Sequence, residues 1–223
     1  MIDNIVLITS VINTPTNIPW SYSTIRSIFN REERYNQLKK TIISAKEKIP
    51  NNKILLVECS EFTKEEENYF EKECDYIINL WDRKDLHKYI FSQSKAIGFG
   101  LMIIEGINYL TEHNLKFEHF VKMGGRYWLN DDFDYKKWDN DKIVVNKING
   151  NPNNIQVGYF KIPYNLKEKL KEFLIHNMDN MRRCIGFEIL FSVFVNNYIK
   201  NVKYIDKIGM EGYVSVCGSF WKN

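Results

Sequence analysis

Ile5-Val6-Leu7-Ile8-Thr9-Ser10, Lys53-Ile54-Leu55-Leu56-Val57-Glu58 and Asp75-Tyr76-Ile77-Ile78-Asn79-Leu80 are three short runs, rich in aliphatic residues and apolar at successive rather than alternate positions. Runs of this length and character predict strands buried on both faces, as in a parallel sheet. Between the first and second, Tyr35, Leu38, Ile42, Ala45 and Ile49 recur at three- and four-residue steps and Pro50 follows. That spacing predicts an amphipathic helix that covers a sheet face and stops at the proline. Between the second and third, Thr63 and Glu66 have the spacing of a capping box and open another helix. Strand, helix, strand, helix, strand in this order implies right-handed parallel crossovers, the opening of a doubly wound α/β sheet.

Further along the chain, residues 92–112 carry an apolar helical face through Ile97, Leu101, Ile104 and Ile107, and Glu118 to Lys122 reads as a fourth strand. Gly124 to Asp141 mixes glycine, aromatic and acidic residues and reads as neither strand nor helix. Residues 142–148 and 155–162 read as strands, 165–176 and 186–199 as helices, and Tyr204 to Ile208 as a last short strand before a glycine-containing tail. No repeat or linker interrupts the chain, so residues 1–223 are read as one α/β domain. Its mostly parallel central sheet is flanked by helices, with an ordered first half (1–123) and a more irregular second half (124–223).

Composition excludes several classes. With 44% hydrophobic and 26% charged residues the chain can bury a core, which excludes a disordered or collagenous chain. The 31 basic residues against 28 acidic ones leave a net charge of only +3, so no nucleic-acid partner is expected. No apolar run approaches the ~20 residues of a transmembrane segment, and no signal-peptide pattern opens the chain; a cytoplasmic protein is the expectation. Cys59, Cys74, Cys184 and Cys217 form no CxxC pair and are read as reduced thiols. His87, His113, His119 and His176 lack metal-ligand spacing.

Several residues stand where chemistry is expected. Thr9 and Ser10 end the first strand and Glu58 the second, and strand ends of an open α/β sheet are where ligands bind. Ser94-Lys95-Ala96-Ile97-Gly98-Phe99-Gly100 opens a helix: Lys95 lies near its positive end, and two glycines suggest close approach of a backbone or ligand. Val121-Lys122-Met123-Gly124-Gly125-Arg126-Tyr127-Trp128 combines paired glycines, a guanidinium suited to phosphate and flat aromatic rings. Asp132 and Asp134 have the spacing for two carboxylates on one divalent cation. Glu188, in Cys184-Ile185-Gly186-Phe187-Glu188, is a carboxylate at an apolar helix start, where it could serve as a base.

The strand ending Ile8-Thr9-Ser10, the helix from Arg31-Glu32-Glu33-Arg34-Tyr35, the strand Leu55 to Ser60, the Ser94-Lys95 helix and Lys122-Met123-Gly124-Gly125-Arg126-Tyr127 together resemble GT-A-type nucleotide-sugar glycosyltransferases. They look most like the small enzymes of bacterial surface-polysaccharide clusters and large DNA viruses. The resemblance implies transfer of a hexosyl or pentosyl group from a nucleoside diphosphate sugar to a hydroxyl of a glycan or glycoconjugate. It implies a nucleotide pocket from Thr9, Ser10, Arg34 and Glu58, and a diphosphate held by Lys95, Lys122, Gly124, Gly125 and Arg126. It also implies Glu188 as base, and an acceptor-binding second half. In the resembling family a metal-binding Asp-x-Asp stands at the end of the fourth strand, where this chain has Lys122-Met123-Gly124. Asp132-Phe133-Asp134 has the spelling but lies later, so two arrangements stay open: Mn²⁺ or Mg²⁺ on Asp132 and Asp134, or Lys122 and Arg126 neutralising the diphosphate. Two other classes fit parts of the pattern, a non-catalytic nucleotide- or sugar-binding domain and a metal-dependent phosphoesterase using Asp131, Asp132, Asp134 and Glu188.

Overall fold

A computed structural model describes residues 2–223. The first half runs β1 (Ile2–Ser10), α1 (Arg31–Lys48), β2 (Asn52–Glu58), α2 (Lys64–Glu73), β3 (Tyr76–Asn79), α3 (Lys84–Ile90), α4 (Lys95–Glu112) and β4 (Phe117–Gly124). The second runs β5 (Tyr127–Leu129), β6 (Ile143–Asn146), β7 (Tyr159–Pro163), α5 (Lys167–His176), α6 (Met178–Arg182), α7 (Phe187–Asn196), β8 (Val202–Ile205), β9 (Met210–Tyr213) and β10 (Phe220–Lys222). Strands from both halves share one seven-stranded sheet in the order β3-β2-β1-β4-β7-β6-β8. All its strands run the same way except β7, which is antiparallel to β4 and β6. β7 follows β6 through residues 147–158 without a crossover helix, and a strand reached by so short a return pairs antiparallel.

The unbroken apolarity of β1 has a direct cause. Ile5 and Leu7 point into one core, shared with Ile103 and Ile107 of α4, whereas Val6 and Ile8 point into the other, shared with Leu38 and Ile42 of α1. All four β1 side chains are fully buried, as period-two alternation demands of a strand covered on both faces. Thr63 and Glu66 form the expected capping box on α2, and Asn30 with Glu33 forms another on α1, upstream of its apolar periodicity. Cys59 and Cys74 are buried, Cys184 and Cys217 exposed, and all four are free thiols.

The region 124–141 departs from its sequence reading. Tyr127–Leu129 is strand β5, which pairs with β9 in a separate three-stranded sheet, β10-β9-β5. Three residues are too few to show a period of two, so the strand is created by its partner. Two short helices, α3 and α6, also escaped the periodicity, each offering at most two turns of pattern. The 155–162 strand is shorter than expected: Ile155 makes only an isolated bridge to Lys147.

The helical glycines of α4 have packing reasons. Gly98 lies against the backbone of Ile90 and Gly100 against the side chain of Met181. A Cβ on Gly106 would stand 2.6 Å from Leu7 Cδ1, on a fully buried β1 side chain. Gly106→Val should therefore lower stability by about 1–3 kcal/mol through overpacking, since the helix-propensity gain over glycine is only a few tenths of a kcal/mol for a β-branched residue. Denaturant titration reads it as a lower midpoint with unchanged slope.

Candidate active site

A cavity of about 280 Å³ opens at the carboxyl ends of β1 and β4, where an open α/β sheet gathers strand ends and helix starts. Its floor is built by the Gly124-Gly125 turn folding onto β1. The Gly125 amide donates to Thr9 O at 3.0 Å, and a Cβ on Gly125 would come within 2.7 Å of Ser10 Cβ, so only glycine permits this approach. Thr9 and Ser10 both line the cavity.

Arg26, Arg34, Lys95, Lys122 and Arg126 also line it, against a single carboxylate, Glu188. Arg34, on α1, donates from Nε to Val11 O at 2.8 Å and from Nη1 to Ser215 Oγ at 3.3 Å. Burial, with Arg126 close by, lowers its pKa to about 9. Arg126 donates to Tyr213 O at 2.9 Å, so the C-terminal sheet holds its guanidinium over the cavity. Arg26 stacks 3.8 Å above the Trp20 ring and donates to Ser92 O, and its own carbonyl accepts from Ser215 Oγ at 2.9 Å. Lys122 is 0% exposed, its Nζ has no hydrogen-bond partner, and it lies 3.6 Å from the Phe99 ring centroid.

Glu188 lies in the first turn of α7, with Gly186 at the cap position. Its Oε1 is 3.7 Å from Lys95 Nζ, and its side chain is 29% exposed. A second cavity of about 230 Å³ adjoins the first and shares Tyr22, Lys95, Phe99, Val157 and Glu188 with it; Phe187 and Gly186 complete its apolar side. Glu188 thus stands on the wall between two compartments, one cationic and one largely apolar.

Other predicted site residues lie elsewhere. Glu58 is 0% exposed and does not line the cavity. Its Oε1 accepts from the amides of Ile12 (2.9 Å) and Cys59 (3.1 Å) and from Ser60 Oγ (2.7 Å), so it fixes the loop leaving β1. Burial pushes its carboxyl pKa up, against those hydrogen bonds and Arg34. Asp132 pairs with Lys207 at 2.9 Å and Lys222 at 3.4 Å, and Asp134 caps a turn by accepting from the Lys136 amide at 3.1 Å. Neither lines the cavity, and Asp131 pairs with Lys48 on the surface. Among the described residues no group of three or more His, Cys, Asp or Glu side chains converges as a metal cage. The cavity's five basic side chains and one carboxylate are a poor donor set for Mn²⁺ or Mg²⁺, which take oxygen ligands.

Sequence reading missed Arg26, Trp20, Tyr22 and the Val214–Val216 segment, which come to the cavity from irregular loops. Arginine is scarce in this chain beside lysine, and that scarcity is the signal by which Arg26 could have been found.

No family model matches the sequence, and no curated protein sequence matches it. Solved structures do match. A Desulfovibrio desulfuricans G20 protein assigned as a nucleotide-diphospho-sugar transferase superposes with TM-score 0.53 at 8% identity, over 92% of this chain and 80% of that one. The apo-form glycosyltransferase GlyE of Streptococcus pneumoniae TIGR4 superposes with TM-score 0.51 at 10% identity, over 92% of this chain. The chain spans 45% of GlyE's length. These superpositions show the fold: the chain is built like the GT-A-type nucleotide-sugar glycosyltransferases.

Proposed function

We propose that the chain transfers a sugar from a nucleoside diphosphate donor to a hydroxyl of a glycan or glycoconjugate. The observation that carries this reading is the placement of Glu188 between the cationic cavity at the ends of β1 and β4 and the apolar cavity beside it. A nucleoside diphosphate becomes a more negative leaving group as the sugar–oxygen bond breaks. Preorganised cations aimed at that charge stabilise the transition state more than the ground state. Arg126, Lys95 and Lys122 occupy that role here, with Arg34 and the β1 end holding the nucleoside side. The acceptor enters the second cavity, stacks on its aromatic wall, and gives its proton to Glu188. Lys95 Nζ, 3.7 Å from Glu188 Oε1, holds that carboxylate at the wall between the two cavities.

In this reading the diphosphate charge is met by side chains, and Asp132 and Asp134 take no part. Saturating UDP or GDP should raise the melting temperature by mass action, and transfer should persist in excess EDTA. Asp132→Asn with Asp134→Asn should keep wild-type turnover. Loss of turnover in EDTA, restored by Mn²⁺, would return a divalent ion to the mechanism. Absence of any nucleotide-induced shift at millimolar concentration would end the donor-site assignment.

A further inference from the structure

Lys122 is the one charged side chain of the cavity with no polar partner. On β4 it stands opposite Leu7 of β1 and Phe160 of β7, neither of which offers a hydrogen-bonding side chain. Its Nζ is buried without a hydrogen bond, and the Phe99 ring at 3.6 Å supplies the attraction it has. The cavity's one carboxylate is engaged elsewhere, since Glu188 Oε1 pairs with Lys95. Gly124 lies beside Nζ and offers it no side chain; a Cβ built there would already be in van der Waals contact at 3.8 Å. A buried amine with no protein partner therefore lies at the edge of the cavity that Lys122 lines.

Resting on the donor-site reading above, we propose that Lys122 Nζ is the contact on which the donor's diphosphate closes, and that nucleoside diphosphate binding brings one proton from solvent onto it. The amine lone pair becomes an N–H bond, and the resulting ammonium donates to phosphate oxygens.

The electrostatics support this. The titratable and charged groups facing Lys122 are Lys95 of α4, Arg126 and Tyr127 after β4, and Glu188 of α7, while β1 and β7 contribute none beside it. Burial first, then Lys95 and Arg126, push its pKa well below the ordinary lysine value, and Glu188 only partly opposes them. A buried ammonium without a counter-ion is costly, so the empty pocket favours the neutral amine. A bound diphosphate reverses the balance by adding negative charge within contact distance. The sign follows: affinity is independent of pH below the pKa of the free state. It then weakens by up to about ten-fold per pH unit until the raised pKa of the complex is passed.

Calorimetric titration of UDP and of GDP, in EDTA and separately with Mn²⁺, tests this at about pH 8, where the terminal phosphate is already fully ionised. Two buffers of different ionisation enthalpy give the proton count. The wild-type chain should take up close to one proton in EDTA. Lys122→Met should take up none, bind about ten-fold or more weakly, and melt at a higher temperature without ligand, because an apolar side chain then replaces an unpartnered polar one. Wild-type binding without proton uptake, binding that needs Mn²⁺ and moves no proton, or a Lys122→Met variant with wild-type affinity and uptake would each overturn the assignment while leaving the donor site in place. Failure of both nucleotides to bind under either condition would remove the donor site itself, and this proposal with it. Should Lys122→Met not fold, the wild-type proton count decides alone.

Discussion

Glu188→Gln is expected to fold, melt near the wild-type temperature and bind donor nucleotide, yet transfer sugar about 10²- to 10⁴-fold more slowly, the usual loss when a positioned base is removed. The structural effects of the substitution are small by comparison. Its ion pair with Lys95 spans 3.7 Å between partly exposed side chains, a class worth roughly 0–1 kcal/mol. Its charge at the start of α7 adds about 0.3–1 kcal/mol through the helix dipole. Glutamine keeps the shape and some hydrogen bonding at that position, so kinetics and stability separate cleanly. Radiolabel transfer or nucleotide release with acceptor present reads the rate, and thermal melting reads the fold. Transfer at the wild-type rate would return Glu188 to the role of a helix-start residue.

Arg126→Gln is expected to cost about 10²- to 10³-fold in turnover, the range seen when one preorganised donor to developing negative charge is deleted. Arg126→Lys, which keeps the charge and loses the planar fork, should cost about ten-fold or more. The reason lies in how the side chain is held. One guanidinium nitrogen donates to Tyr213 O at 2.9 Å, which leaves the rest of the fork free for phosphate. A lysine could satisfy the carbonyl or the phosphate but not both in the same geometry. Measured as kcat and KM separately, the lysine variant should lose chiefly kcat, because leaving-group charge grows in the transition state. Equal kinetics for both variants and the wild type would make Arg126 a strut between the β4 turn and β9.

The same measurements separate the competing readings. A non-catalytic nucleotide- or sugar-binding domain has the cationic cavity but no use for Glu188, so donor hydrolysis in the absence of acceptor, lost in Glu188→Gln, would argue against it. A metal-dependent phosphoesterase requires converging carboxylates, and here Asp131, Asp132 and Asp134 are tied to surface lysines or to a turn away from Glu188. Among the described residues, no helix is long and apolar enough to cross a membrane.

Local signals in the sequence determined the first half of the fold. β1 and β2 were legible because burial on both faces requires an unbroken apolar run, whereas β3, expected to be equally buried, is an edge strand whose Tyr76, Ile77 and Ile78 are only half-buried; Thr63 with Glu66 marked α2 through a hydrogen-bonding pattern confined to four residues. Thr9, Ser10, Lys95, Lys122, Gly124, Gly125, Arg126 and Glu188 were legible as candidates because each ends a strand, opens a helix or lies in a glycine turn, and the cavity is lined by all of them. Tertiary structure decided the rest. Whether Glu58 faces ligand or protein depends on the path of the loop after β1, which brings the Ile12 amide onto its carboxylate beside the amide of the adjoining Cys59. Whether Asp132 and Asp134 meet a ligand depends on β5 joining β9 and β10, a pairing between segments some 80 residues apart that brings Lys207 and Lys222 to Asp132 instead. Arg26 and Ser215 reach the cavity through loops whose course no periodicity encodes. A strand or helix advertises itself because its hydrogen bonds and its burial repeat every two or 3.6 residues, whereas a site is a meeting of distant segments, and only the packed chain fixes which side chains arrive there and which are spent on holding it together.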